Sequence, residues 1–238
     1  MLIVPVIDVK GGVAVRAVAG QRDGYQPLDT PLALGTSDPV AIAEGYWRTY
    51  PGFGALYIAD LDAIAGGAKA YDVLDLIGTV LPGVSLLVDN GSCCLDDISF
   101  FKERPLMQPV IGSETLLDAG EVVRINSALP QGCALSLDQR GAVRLGPNDI
   151  FEDVMLWPSV VIAMSLDRVG TSEGPDWSRL KCIKSMSGAR TVLAAGGVRN
   201  DDDLLRLEAM GFGALVASVL HDGRVSKAVW QSLVGSSE

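Results

Sequence analysis

The chain has 238 residues, of which 48% are hydrophobic and 20% charged, and its net charge is −10. This charge leaves no Lys/Arg-rich face, which argues against nucleic acid or an anionic membrane as a partner. No apolar stretch approaches the ~20 residues that cross a bilayer. The apolar N-terminus runs into Lys10 without a cleavage site, so we expect a first strand, no signal peptide and a cytoplasmic protein.

Eight short apolar runs have the composition of β-strands. They are LIVPVID (2–8), ALYIAD (55–60), VSLLVD (84–89), QPVIG (108–112), CALSLD (133–138), VVIAMS (160–165), TVLAA (191–195) and ALVAS (214–218). Helical stretches lie between them, with predicted starts at Ser37-Asp38-Pro39, at Leu95-Asp96-Asp97 and at Asn200-Asp201-Asp202-Asp203, and Gly211 ends the last of these. Strands that alternate with helices predict a parallel sheet, and eight units predict an α/β fold, a (β/α)8 TIM barrel that forms one domain over 1–238.

The two halves of the chain resemble each other. LLVDNGSCCLDD (86–97) aligns with VLAAGGVRNDDD (192–203) at an offset of 106 residues. Gly112-Ser113 aligns with Ala217-Ser218, and Leu61-Asp62 with Leu166-Asp167, both at an offset of 105. Matches that keep their order predict a barrel built from two (βα)4 halves.

Two carboxylates end opposite strands of this predicted barrel. Asp8 ends the first strand and Asp138 the fifth, so both would face the mouth where barrel enzymes bind substrate. This arrangement suits a reaction that needs one acid and one base, because burial can raise the pKa of one group while the other stays ionised. The alternative is that each Asp caps a helix or pairs with a nearby cation such as Lys10 or Arg140.

The loops after the seventh and eighth strands have the pattern of a phosphate site. Gly196-Gly197 follows the seventh strand and Ala217-Ser218 the eighth. A Gly-Gly turn lets backbone N–H groups approach a phosphate, and these two loops hold phosphate in many barrels. A tight connection without a ligand is the alternative interpretation. His221, in the last loop, is either a second phosphate contact or a surface residue.

The metal-ligating residues are few. The chain has four cysteines without a CxxC pair and a single histidine, which is a thin ligand set for zinc. We therefore expect a phosphorylated small molecule as the ligand, no metal and no cofactor, and a monomer or a weak homo-oligomer.

Five short segments, spread over nearly the whole chain, resemble one family, the histidine-biosynthesis isomerases and cyclases (HisA and HisF). They are Ile7-Asp8-Val9, Val15-Arg16, Leu137-Asp138, Gly196-Gly197 and Val216-Ala217-Ser218. The resemblance implies an Amadori rearrangement of a phosphorylated aminoaldose, phosphoribosylformimino-AICAR ribotide, to the aminoketose without metal or cofactor. It implies Asp8 as the general base and Asp138 as the general acid. Arg16 is similar to the isomerase branch, and Lys10 to the cyclase branch.

The first half of the chain departs from the family pattern. Where the isomerases read Gly-Gly-Gly-Val-Arg, this sequence has Asp89-Asn90-Gly91-Ser92-Cys93. Two like charges ~4 Å apart repel by roughly 4 kcal/mol at an effective dielectric of 20, so Asp89 argues against a phosphate there. The segment 164–171 also lacks a threonine and an aspartate that position the substrate in the family. The remaining candidate substrate contacts are Arg16, Asp89, Gly91, Gly112, Ser113, Asp167 and Arg199.

Three functions are compatible with these residues. The first is a HisA-like isomerase acting on a phosphorylated aminosugar-type molecule. The second is a divergent paralogue, an isomerase or related lyase, acting on a mono-phosphorylated substrate in tetrahydromethanopterin or other pterin cofactor synthesis, with Asp89 accepting from an amine or a ring N–H. The sequence resembles a subgroup found beside such genes. The third is a barrel that binds a phosphorylated ligand without turnover, which has no need of opposed carboxylates.

Overall fold

In a computed structural model, which describes residues 1–235 (for Arg22 the backbone alone), eight parallel strands pair in chain order. They are β1 (Ile3–Lys10), β2 (Ala55–Asp60), β3 (Ser85–Asp89), β4 (Met107–Gly112), β5 (Ala134–Arg140), β6 (Val160–Ser165), β7 (Thr191–Ala195) and β8 (Gly213–Val216). Since β8 pairs with β1, the sheet closes into a barrel. The predicted (β/α)8 barrel is confirmed. One domain over 1–238 stays a prediction, and the last three residues of that range lie outside the described part.

Helices connect the strands. They are α1 (Pro39–Thr49), α2 (Leu61–Ile64), α3 (Tyr71–Val80), α4 (Gly120–Ala128), α5 (Asp149–Glu152), α6 (Trp177–Ser187), α7 (Asp201–Ala209), α8 (Ser218–His221) and α9 (Lys227–Val234). The side chain of Asp38 caps α1 and that of Asn200 caps α7, as predicted. The segment Leu95–Phe101 is a 3₁₀ helix that begins at the predicted start, with Cys94 as its cap and Asp97 accepting from the backbone N–H of Cys94. Among the described helices, none is both long and apolar enough to cross a membrane.

The strands are buried on both faces, which explains their unbroken apolar runs. Alternate residues point to opposite sides of a strand, so Tyr57 belongs to the core inside the barrel while Ile58 packs against the outer helices. By the same alternation, the side chains of Asp8 on β1, Asp89 on β3 and Asp138 on β5 point into the barrel. Three carboxylates therefore stand near the C-terminal ends of their strands. β1 and β5 each run two residues beyond the predicted ends at Asp8 and Asp138, because both continue into short antiparallel pairings with the segments that follow.

The two halves repeat in structure as well as in sequence. β2 and β6 begin at Ala55 and Val160, 105 residues apart, while β3 and β7 begin at Ser85 and Thr191, 106 residues apart. A contact repeats too. Asp97 accepts a hydrogen bond from the backbone N–H of Cys93 at 3.0 Å, and 106 residues later Asp203 accepts one from Arg199 N–H at 3.0 Å. This spacing is what a barrel of two (βα)4 halves requires.

Candidate active site

A cavity of about 1220 Å³, part of it open to solvent, lies at the C-terminal ends of the strands. Eight of the predicted site residues line it: Asp8, Arg16, Asp89, Asp138, Gly196, Gly197, Ala217 and Ser218. The other five stand outside the lining: Gly91, Gly112, Ser113, Asp167 and Arg199. The barrel thus brings the two predicted catalytic carboxylates and the predicted phosphate loops to one cavity.

Asp8 and Asp138 stand on opposite walls, because β1 and β5 are four strands apart in a closed sheet of eight. Their environments differ. Asp8 is half-buried, while Asp138 is 4% exposed. A difference in burial is the condition under which two carboxyl groups take different protonation states near neutral pH.

Asp138 is buried on β5, at the wall of the cavity and beside the end of β4. Its Oδ1 accepts a hydrogen bond from Ser136 Oγ at 2.6 Å, and its Oδ2 accepts one from Glu114 N–H at 3.1 Å. Burial raises the pKa of Asp138 to about 7, the hydrogen bond from Ser136 opposes that rise, and the charges of Asp89 and Glu114 add to it. Asp138 therefore carries a proton over much of the pH range below neutral, as a general acid must.

Tyr57 was not predicted as a site residue, yet it lines the cavity. Its hydroxyl donates to Asp89 Oδ2 at 2.9 Å. Burial raises the pKa of Tyr57 well above its ordinary value, and the charges of Asp89, Asp138 and Asp8 raise it further. The hydroxyl is therefore a donor among three carboxyl groups. The sequence feature that could have identified Tyr57 is a polar aromatic residue at an inward-facing position of an otherwise apolar strand.

Gly112 contributes by lacking a side chain. A Cβ at this position would lie 3.3 Å from Asp138 Oδ2 and 3.9 Å from Asp89 Oδ2. The next residue, Ser113, is buried, accepts from Asp138 N–H at 2.8 Å and donates to Asp138 Oδ2 at 3.3 Å. Both residues stand behind the lining and shape the position of Asp138.

The Gly196-Gly197 turn has left-handed backbone angles, with φ +100° and +88°. A Cβ on Gly197 would collide with the carbonyl oxygen of Gly174, so this turn packs tightly against the loop after β6. Within the described residues, the N–H groups of Gly197 and Val198 donate to no protein acceptor. The turn is thus a tight connection that also leaves two donors beside the cavity, next to Ser218 at the start of α8.

In the equivalent loop of the first half, the backbone N–H groups donate to side chains of the same segment. Asp89 Oδ1 accepts from Gly91 N–H at 3.4 Å, and Asn90 Oδ1 accepts from Ser92 N–H at 3.3 Å. Asp97 accepts from the N–H groups of Cys93 and Cys94. A second anion at this loop would have to displace these internal bonds and meet the charge of Asp89.

The predicted cationic contacts have protein partners. Arg16 lines the cavity and pairs with Asp222 at 3.1 Å, and Asp222 also pairs with Arg224 at 2.6 Å. Arg199 makes two hydrogen bonds of 2.8 Å to Asp203 at the start of α7, where it fastens the loop to the helix. Asp167 lies in the 3₁₀ turn Leu166–Arg168, outside the lining.

His221 is buried, so it is not the surface residue that one interpretation expected. Its Nε2 lies 2.7 Å from the hydroxyl of Tyr46 and its Nδ1 lies 3.0 Å from Thr30 Oγ1. Tyr46 donates to the carbonyl of Val6, so Nε2–H donates to Tyr46 and Nδ1 accepts from Thr30. Burial lowers the pKa of His221 to about 4, with Arg16 adding to the effect, and the neutral ring fits this chain of bonds.

No group of three or more His, Cys, Asp or Glu side chains in residues 1–235 is arranged to hold a metal ion. The polar side chains that line the cavity are those of Asp8, Arg16, Tyr25, Tyr57, Asp89, Glu114, Asp138, Arg140, Ser172, Ser218 and His221.

A parallel barrel with carboxyl groups on opposite walls and a glycine turn after its seventh strand is the class of protein that this fold and cavity define. The sequence matches the model of the histidine biosynthesis protein family over residues 2–226. This chain therefore belongs to that family, and the predicted resemblance is confirmed.

Individual relatives are similar along their whole length. Two isomerases named for an imidazole-4-carboxamide that carries two 5-phosphoribosyl groups, from Pelotomaculum thermopropionicum and Rhizobium leguminosarum, are 28% and 26% identical over all of this chain and over 90% and 98% of their own. An uncharacterised protein of Methanocaldococcus jannaschii is 27% identical over 94% of both chains. At the level of the family, the expectation of an enzyme of the isomerase type is confirmed.

Proposed function

We propose that this protein is an aldose–ketose isomerase that acts on an aminosugar carrying one phosphate. The observation that supports it most is a buried Asp138, whose pKa is raised by burial, on the wall opposite a half-buried Asp8 in one cavity. The phosphate binds at the turn of Gly196-Gly197 and at Ser218, where unused N–H donors border the same cavity.

The reaction needs one acid and one base. Asp138 gives its proton to the ring oxygen as the C1–O bond breaks, and the lone pair of the amino nitrogen forms an iminium at C1. Asp8 removes the proton from C2, so the C1=C2 bond forms and the nitrogen regains its lone pair. Asp8 returns a proton to C1, the C2 hydroxyl proton passes to Asp138, and the ketone forms with both carboxyl groups in their starting states.

The first-half loop supports a substrate with one phosphate. Its N–H donors are occupied by Asp89, Asn90 and Asp97, and the charge of Asp89 repels an anion. Asp89 lines the cavity and is an acceptor suited to an amine or a ring N–H. This observation favours the divergent paralogue, with a pterin precursor as the candidate substrate class, over the doubly phosphorylated compound of the histidine pathway.

Kinetics with two probes test the proposal. We expect a singly phosphorylated N-aryl 5-phosphoribosylamine to be converted to its ketose with a higher kcat/KM than phosphoribosylformimino-AICAR ribotide. Asp8→Asn and Asp138→Asn should each lower kcat by about 10²–10⁴-fold, the usual size of general acid–base effects. Their affinity for inorganic phosphate, measured by calorimetry, should stay unchanged.

Three results would contradict the proposal. Full activity in Asp8→Asn would remove the assigned base. Rescue of a histidine auxotroph that lacks the isomerase, with faster turnover of the doubly phosphorylated probe, would assign the histidine-pathway substrate instead. Phosphate binding without turnover of either probe would favour the third hypothesis, a barrel that binds its ligand without chemistry.

A further inference from the structure

Asp89 and Asp138 come from strands two apart in the barrel, yet one small space joins them. That space is the side-chain position of Gly112 on β4, the strand between them. Since Oδ2 of each carboxyl group lies within 4 Å of this position, at 3.3 and 3.9 Å, the two oxygens are at most about 7 Å apart. Any residue other than glycine at 112 would fill the space.

The orientation of Asp89 toward this space is held by two donors. The Tyr57 hydroxyl donates to Oδ2 and the Gly91 N–H donates to Oδ1. The two bonds engage different oxygens, so they restrain rotation of the carboxyl group. Tyr57 is itself 3% exposed, so the contact lies in a region of low dielectric where a charge acts strongly on its neighbours.

Groups from several elements face Asp138. Ser136 lies on its own strand, Ser113 and Glu114 follow β4, and Asp89 stands on β3. Tyr57 on β2 and Arg179 on α6 are within electrostatic range. Arg179 donates to the carbonyls of Leu137 and Met164 and is not bonded to the carboxyl group of Asp138. Asp89 and Glu114 are therefore the anionic neighbours from β3 and the end of β4.

We propose that Asp89 is a positioning residue that acts through Asp138 and holds the proton on that carboxyl group until the substrate takes it. The inference rests on the proposed function for its part in the reaction, although the electrostatic coupling of the two groups can be measured without turnover. The family pattern has glycine at position 89, so this device belongs to this chain's altered loop. Asp89 thus acts on the acid as well as on the substrate end.

NMR of the aspartate side-chain carbons tests the contact. In protein labelled at aspartate Cγ, the Asp138 signal, assigned with Asp138→Asn, should titrate with its midpoint near 7. Asp89→Asn removes the charge and nearly keeps the shape of the side chain. In this variant we expect the midpoint of the Asp138 titration to fall by roughly one pH unit, since one charge at this range shifts a pKa by that much at moderate dielectric. Asp75→Asn, which alters an exposed carboxylate paired with Arg104, is the matched control and should leave the midpoint in place.

A midpoint that stays within about 0.2 units of the wild type in folded Asp89→Asn overturns the inference. If that variant does not fold, the wild-type protein decides, because coupled groups show each other's titration. The Asp138 signal should then carry a second inflection at the pH where Asp89 titrates, and a single inflection overturns the proposal.

The kinetic readout separates this inference from the proposed function. For an active enzyme, the alkaline limb of the kcat/KM profile should move to lower pH in Asp89→Asn by the same amount as the NMR midpoint. A shifted NMR midpoint in a protein that turns over neither probe would support the coupling of Asp89 to Asp138 and contradict the proposed function. Turnover of a probe with an unshifted midpoint would support the proposed function and contradict the coupling.

Discussion

At the scale of single residues, the chemistry depends on where a carboxyl group is buried. Asp138 and the exposed aspartates of the surface helices have the same side chain, yet burial raises the pKa of Asp138 from 3.8 to about 7. Ionising such a group inside the folded protein costs free energy. The acid of the proposed reaction is therefore a source of instability at neutral pH.

This cost predicts a pH dependence of stability. The folded pKa of Asp138 lies above the unfolded value, so the folded state holds a proton that the unfolded state loses, and stability falls as pH rises from about 4 to 7. Asp138→Asn removes this dependence. We expect the variant to gain on the wild type by up to about 4 kcal/mol across this window, at about 1.4 kcal/mol per pH unit, with no further gain above it.

Urea denaturation at several pH values measures the difference. Asp96→Asn, at an exposed position, is the control and should track the wild type at every pH. A constant difference between Asp138→Asn and the wild type from pH 4 to 7 would mean that Asp138 titrates normally.

At the scale of elements, the cavity is built where strands end and loops pack on each other. The turn after β7 is the clearest case, because its two glycines satisfy the backbone angles and also the close approach to the loop after β6. Gly83, between α3 and β3, has nearly the same backbone angle, φ +86°, but nothing lies within 4 Å of its absent Cβ. Substituting alanine at each of the two positions therefore distinguishes the free-energy cost of a left-handed backbone angle from the cost of a steric collision of the new Cβ.

We predict that Gly197→Ala destabilises the protein more than Gly83→Ala. Gly83→Ala should cost about 1–2 kcal/mol for the left-handed angle alone, and Gly197→Ala a further ~1–3 kcal/mol for displacing Gly174. Chemical denaturation measures both values. Gly197→Ala should also lose affinity for inorganic phosphate, since the donors of the turn move, whereas Gly83→Ala should keep it. Equal costs and equal affinities would argue against the packing of this turn as a functional feature.

At the scale of the whole molecule, the two halves share an architecture and differ in what their loops do. Asp97 and Asp203 occupy matching positions and hold matching backbone donors. The turn at Gly196-Gly197 nevertheless keeps donors unused, while the loop at Asp89–Ser92 satisfies its own. A symmetric fold thus carries an asymmetric site.

This asymmetry predicts the binding of one phosphate per chain. Calorimetry with ribose 5-phosphate should give a stoichiometry near one, and a crystal soaked in it should show density at Gly197 and Ser218. Glycine substitution at the first-half loop, Asp89→Gly, is the matched variant, and the internal bonds of Asn90 and Asp97 should keep its stoichiometry at one. Equal occupancy of both loops in the wild type would contradict the prediction.

Much of this architecture was predictable because it depends on local patterns. The eight apolar runs, the caps at Asp38 and Asn200 and the internal repeat are signals within short windows, and the family resemblance rested on motifs of two or three residues. The roles of Arg199 and His221 were not predictable, since each depends on a partner that the fold supplies. Asp203 accepts hydrogen bonds from the guanidinium of Arg199. Tyr46 and Thr30 form hydrogen bonds with the two ring nitrogens of His221.

The chain's apolar runs were enough to predict the barrel and to put aspartates at the ends of four of its strands, because such runs and their last residues are local properties of the chain. Which of these carboxyl groups has the raised pKa depends on the folded structure. Strand register and barrel closure set Tyr57, Asp89 and Asp138 around the empty side-chain position of Gly112, and burial at that place raises one pKa. Residues more than thirty positions apart act together there, and no local pattern reports that proximity.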